Sequence, residues 1–158
     1  MSRPLILVGG GGHCKSVIEA AESAGMIIKG ILDLPSEVGK NILGYEVIGS
    51  DDDIHQYVEE YDFVVTLGFI KDPALRNRIY ARIEAAGGTL ATVIASTAHV
   101  SRHATIGAGT VVLHGAMVNA GTQIGKGCII NTLSNIEHDV IIGDYCHICL
   151  LYTSPSPR

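Results

Sequence analysis

The sequence predicts a Rossmann-like α/β domain with a parallel sheet, followed by a left-handed parallel β-helix built of hexapeptide repeats. Three observations carry this. Positions 94, 100, 106, 112, 118, 124, 130, 136, 142 and 148 are all Ile or Val. Four residues after each aliphatic, as far as 142, stand Ala98, Ala104, Thr110, Ala116, Thr122, Cys128, Ser134, Val140 and Cys146, nearly all small. Upstream, a short apolar run stops at Gly9-Gly10-Gly11-Gly12 and passes into a helical pattern.

Leu5 to Val8 reads as a buried strand, and Val17, Ile18 and Ala21 as one face of a helix ending near Gly25. Ile27 to Leu32 is a second strand with Asp33 at its C-terminal end, Ile54 to Glu60 a short helix, and Phe63 to Leu67 a third strand ending at Gly68. From Pro73 to Ala86, Leu75, Ile79 and Ile83 recur at helical spacing with Arg76, Arg78 and Arg82 between them, and Gly87-Gly88 ends the helix. Thr89 to Ile94 leads into the solenoid, which divides the chain into 1–90, 91–149 and an irregular tail, 150–158.

In the second part each hexapeptide makes one flat side and a corner, and three close a coil of eighteen residues. The aliphatic fills the axis; the small residue lets the backbone turn. One axial aliphatic in six residues buries too little apolar surface to offset the ordering of the rest. Neighbouring subunits and the preceding domain are therefore expected to cover the sides. Leu150 to Arg158 has neither the repeat nor glycine turns, and its prolines favour an extended strip. The solenoid reads as cut off in mid-coil and the tail as non-native.

Composition excludes several functions. A net charge of −5 without a Lys/Arg cluster argues against nucleic acid. No apolar run of eighteen residues and no signal peptide are present, so neither a membrane span nor secretion is indicated and the cytoplasm is expected. Cys14, Cys128, Cys146 and Cys149 are scattered and read as reduced packing residues. Cys146 and Cys149 have CxxC spacing but no second ligand pair, so no metal site is expected.

The glycine loop misses a P-loop because Cys14 stands where the sixth position requires Gly. It comes nearer a dinucleotide fingerprint, Gly9-x-Gly11-x-x-Cys14, with Asp33 downstream for a ribose or base hydrogen bond. Four glycines exceed what a bare βα turn needs, and amides at the helix start suit a diphosphate. A nicotinamide enzyme is the weaker reading, since no hydride-transfer site follows. Among seven histidines, His55, His99, His103 and His114 read as solvent-facing. His138 differs: Ile136-Glu137-His138-Asp139 sets an imidazole at a solenoid corner between two carboxylates, as a general base requires. Neighbours on an extended strand point oppositely, so the corner decides which carboxylate helps. A surface histidine in an acidic patch is the alternative.

The Gly-Gly-Gly-Gly-His loop, the small α/β unit, the hexapeptides and Ile-Glu-His-Asp followed by Ile-Gly-Asp-Tyr-Cys-His together resemble the NeuD/PglD family of sugar O-/N-acyltransferases, over about residues 5 to 149. The resemblance implies an N-terminal domain that binds a nucleotide-linked sugar and a homotrimer with acetyl-CoA between adjacent solenoids. It makes His138 the catalytic base, Asp139 the residue that raises its basicity, and His147 an acetyl-CoA contact. Gly11, Gly12 and His13 become the sugar-nucleotide loop, with Asp33 and Gly68 as further contacts. The expected function is acetyl-CoA-dependent acyl transfer to a nucleotide-linked amino sugar. The alternative is a non-catalytic or truncated homologue that binds sugar nucleotide, because relatives continue for further coils that complete the acetyl-CoA site.

Overall fold

A computed structural model describes residues 2–68 and 73–148; the tail and Cys149 lie outside the described residues. The chain forms two compact units, one ending at Ala91 and one beginning at Thr92.

In the first unit, β1 (Leu5–Val8) is flanked by β2 (Ile28–Asp33) and β5 (Asp62–Val65), both parallel to it. β4 (Tyr45–Ser50) runs parallel to β2 on its far side, and β3 (Asn41–Ile42) closes that edge antiparallel to β4. The order is β3-β4-β2-β1-β5. Leu5, Ile6, Leu7 and Val8 are all buried, the continuous apolar run that a central parallel strand needs. Helix α1 (Gly12–Ser23) connects β1 to β2 and buries Cys14, Val17, Ile18, Ala20 and Ala21. Helix α2 (Pro73–Ala85) follows β5.

Both helices stop in the same way. Gly25 (φ 74°) donates to Glu22 O at 3.0 Å and Met26 to Ala21 O at 3.0 Å. Gly87 (φ 80°) and Gly88 repeat this at α2, onto Glu84 O and Ile83 O. Gly25 and Gly87 take the left-handed conformation that turns the chain and lets the last carbonyls be satisfied.

The structure corrects parts of the sequence reading. The short helix is a 3-10 segment over Asp51–Gln56, begun early by a capping box: Asp52 N donates to Ser50 Oγ at 3.2 Å, and Ser50 N to Asp53 Oδ2 at 2.9 Å. The third strand ends at Val65 rather than Leu67. In α2, Leu75 is exposed and Arg76 buried, because the Arg76 guanidinium lies over the Tyr80 ring (5.1 Å) and donates to its hydroxyl at 3.1 Å. Strands β3 and β4 are additions the sequence reading lacked.

The second unit is a left-handed parallel β-helix. Among the described residues it has ten two-residue strands, from β6 (Val93–Ile94) to β15 (His147–Ile148), each ending on an aliphatic of the repeat. The others, β7 to β14, begin at His99, Thr105, Val111, Met117, Gln123, Ile129, Asn135 and Ile141. They stack in three sheets, β13-β10-β7, β14-β11-β8 and β15-β12-β9-β6. The register is eighteen residues per coil, with Val118 between Val100 and Ile136. Val112, Val118, Ile124, Ile130 and Ile136 form the buried axis together with Ala116 and Cys128.

Polar residues in the small-residue position are buried too, and they tie coil to coil. Thr110 Oγ1 donates to Gly125 O (2.7 Å) and accepts from Cys128 N (3.0 Å); Thr122 Oγ1 donates to Glu137 O (2.7 Å). The residue before this position turns the corner with positive φ: Gly109, Gly115, Gly121 and Gly127, then Leu133, Asp139 and Tyr145.

Candidate active site

The third-coil corner brings His138 and Asp139 together. On an extended strand their side chains would diverge. At Asp139 the backbone turns left-handed, φ 60°, and the carboxylate folds back so that Oδ2 lies 2.9 Å from His138 Nδ1. Aspartate enters this region more readily than most residues. Both side chains are about three-quarters exposed, so the pair stands at the surface where a substrate can reach it.

A carboxylate only accepts, so Nδ1 carries the proton and Nε2 keeps its lone pair. The hydrogen bond that His138 donates to Asp139 raises the His138 pKa most, the carboxylate's charge adds to this, and Glu137 contributes less. The Glu137 carboxylate is held by a short amide chain: Asn119 Nδ2 donates to Asn135 Oδ1 (3.2 Å), and Asn135 Nδ2 to Glu137 Oε1 (3.1 Å).

His147 lies in another sheet, paired with Ile129. It is half-buried, with Asn131 Nδ2 2.7 Å from its Nε2. The amide donor sets Nε2 as acceptor and puts the ring proton on Nδ1. Asn131 was not visible as a site residue in the sequence, where only its distance of nearly one coil from His147 hinted at the contact. Of the remaining histidines, His55, His99 and His103 are exposed, while His114 is half-buried with Nδ1 2.7 Å from Thr97 Oγ1.

In the α/β unit, the C-terminal ends of the strands border a cleft of about 130 Å³. Val8, Gly9, Leu32, Asp33 and Leu67 line it, with Leu75 and Ile79 from α2. Such a position, where connections leave the central strand in opposite directions, is where open α/β sheets bind ligands. Asp33 reaches the glycine loop because Gly10 has no side chain: a Cβ there would run into the Asp33 carboxylate. Gly9, at φ 123°, is packed against Leu67.

Gly11 and Gly12 are exposed, with open space where their side chains would stand. Gly11 caps α1 without a side-chain hydrogen bond, which leaves the helix start open to an anion. His13 is half-buried one residue on, and Gly68 follows the cleft residue Leu67. Thus Gly9 and Gly10 make the approach to Asp33, whereas Gly11 and Gly12 frame the helix terminus. Cys14 is buried beneath the loop, and burial pushes its thiol up to about 11, far from a reactive thiolate. No helix among the described residues is long and apolar enough to cross a membrane.

Comparison with known proteins places the chain beside characterised relatives. The PglD N-terminal domain model matches residues 4–83. The fold superposes on a histidine-to-asparagine mutant of perosamine N-acetyltransferase from Caulobacter crescentus, in complex with CoA and GDP-perosamine. That match has a TM-score of 0.83 and 30% identity, covering 91% of this chain and 67% of that one. It also superposes on the acetyltransferase domain of PglB from Neisseria gonorrhoeae, with a TM-score of 0.83 and 32% identity over 92% of this chain and 70% of that one. The same domain in complex with acetyl coenzyme A gives a TM-score of 0.82 at 32% identity, covering 93% and 70%. A search of curated proteins gives no significant match.

Proposed function

Because the chain belongs to the NeuD/PglD-like family of sugar acetyltransferases, we propose that it transfers an acetyl group from acetyl-CoA to a nucleotide-linked amino sugar, with His138 as general base. The observation that carries this reading is the 2.9 Å bond from His138 Nδ1 to Asp139 on an exposed corner. It fixes the tautomer, raises the basicity and leaves Nε2 facing solvent.

In this mechanism the sugar amine attacks the thioester carbonyl carbon while Nε2 removes a proton from its nitrogen. The tetrahedral intermediate collapses, the carbon–sulfur bond breaks, and the imidazolium returns the proton to the departing CoA sulfur. Backbone N–H groups stabilise the oxyanion in passing. Asp139 stabilises the imidazolium. No covalent enzyme intermediate is required.

The sugar nucleotide occupies the first unit, its diphosphate at Gly11, Gly12 and His13 and its nucleoside against Asp33 and Gly68. Acetyl-CoA contacts His147, whose ring Asn131 orients, and lies between adjacent solenoids of a homotrimer. The exposed Met117, Leu133 and Ile141 on the solenoid support a partner surface. We assign the reaction to the cytoplasm, where both substrates are available.

Replacing His138 with Ala is expected to lower kcat about 10²–10⁴-fold, the usual contribution of a positioned base, with unchanged circular dichroism. Release of CoA thiol in the presence of nucleotide-linked amino sugars measures it. Turnover equal to that of the unsubstituted protein would remove His138 from the chemistry.

A further inference from the structure

We infer that Gly121 is a positioning residue for the His138–Asp139 pair, a glycine kept free of a side chain so that the Asp139 carboxylate can reach the imidazole. The inference rests on the transferase reading of His138.

Gly121 lies one coil before Asp139, in the same corner column. Gly121 N donates to His103 O at 3.0 Å, and Asp139 N donates to Ala120 O at 3.0 Å. A Cβ on Gly121 would run into Asp139 Oδ1 and come within 3.1 Å of its Cγ. The carboxylate that accepts from His138 thus occupies the space where a side chain at position 121 would begin. To clear a methyl group it must swing away, and the 2.9 Å bond is the contact it would lose.

Backbone conformation alone does not explain the glycine. Gly121 has φ 78°, but Leu133, Asp139 and Tyr145 hold the equivalent corners at φ 63°, 60° and 60° without being glycine. The corner geometry therefore tolerates side chains in this solenoid. What singles out Gly121 is the functional carboxylate stacked on it. Gly115, at φ 73°, is the matching control, because the Cβ placed there meets the Leu133 side chain instead.

The test is the titration of the His138 imidazole, followed by NMR and assigned by its loss in H138A, in the unsubstituted protein, D139N, G121A, G115A and G121A/D139N. G121A is expected to move the His138 titration to lower pH by the same shift as D139N. The double variant should move it no further, and G115A should leave it in place. In parallel, G121A should lower kcat and displace the acid limb of the rate profile while substrate affinities stay unchanged. A His138 titration in G121A identical to that of the unsubstituted protein would overturn the inference. Should G121A not fold, adding D139G removes the obstructing carboxylate and is expected to restore folding; failure to restore it would equally overturn the inference. The transferase reading fails separately, through an H138A variant that still acetylates, and that result leaves the NMR titration standing.

Discussion

A histidine and the aspartate that follows it form one chemical unit here because a single residue adopts a left-handed conformation. The sequence made His138 conspicuous and left two neighbouring carboxylates as its partner; only the corner selects Asp139, at 2.9 Å. Which carboxylate would serve was not legible from spacing, since it depends on one φ angle that aspartate enters more readily than most residues; in the sequence, only the family resemblance named Asp139. The sign of the pH dependence follows from the raised His138 pKa. A general base works in its neutral form, so kcat/KM rises with pH through that pKa, and Asp139 sets the acid limb higher than an isolated histidine would. Asp139→Asn is expected to move the limb to lower pH and reduce the plateau by about tenfold or more. The amide can also donate to Nδ1, which would put the ring proton on Nε2 and remove the base. Glu137→Gln should move the limb in the same direction by less, in keeping with its smaller contribution. pH–rate profiles of the three proteins decide this, and a limb that stays fixed in D139N would contradict the assignment.

At the scale of elements, the solenoid was the most legible part of the chain, because a period of six residues is a property of pattern alone. Each strand ends on the aliphatic of its repeat. What the pattern hid is the work of the small residues, which read as mere room to turn. Thr110 is fully buried and serves as donor and acceptor between successive coils. Thr110→Val preserves the volume but leaves the Gly125 carbonyl and the Cys128 amide without that hydroxyl. A loss of about 1–3 kcal/mol is expected, the cost of an unsatisfied buried polar group, approaching the 2–5 kcal/mol typical of an axial truncation such as Ile130→Ala. Equilibrium denaturation measures both, and a neutral Thr110→Val would show that the hydroxyl only fills space. The α/β unit was less legible where local chemistry competes with periodicity. β3 and β4 were missed because their short polar–apolar stretch follows a Pro- and Gly-containing segment that reads as loop. The pattern set Arg76 only between the apolar positions Leu75, Ile79 and Ile83, and gave no sign that stacking on Tyr80 carries its guanidinium inward.

Across the whole molecule, the proposed function divides the labour of a two-substrate transfer between the two units. Asp33 and the glycine loop belong to the unit that ends at Ala91; His138, Asp139 and His147 belong to the unit that begins at Thr92. The glycine loop, Asp33, His138 and its flanking carboxylates stand out in the sequence because each is tied to a break in a pattern, glycines after a strand and carboxylates around a histidine at a repeat corner, whereas His147 was named through the family resemblance alone. The supporting roles of Gly10, Asn131 and Gly121 do not stand out, since they exist only once strands and coils are stacked. If the units serve different substrates, binding should separate by mutation. Asp33→Asn keeps the size of the side chain beside Gly10 but removes the charge that pairs with ribose or base donors. It is expected to weaken sugar-nucleotide binding by about tenfold, as for loss of one charge-assisted hydrogen bond, and to leave acetyl-CoA binding unchanged. His147→Ala should do the reverse. Calorimetry with each ligand on each variant gives four affinities, and NAD serves as a fifth arm that should show no binding. Were Asp33→Asn to weaken acetyl-CoA as much as the sugar nucleotide, the two sites would be coupled or shared and the division of labour would be wrong. Were NAD to bind through Asp33, the glycine loop would belong to a dinucleotide instead.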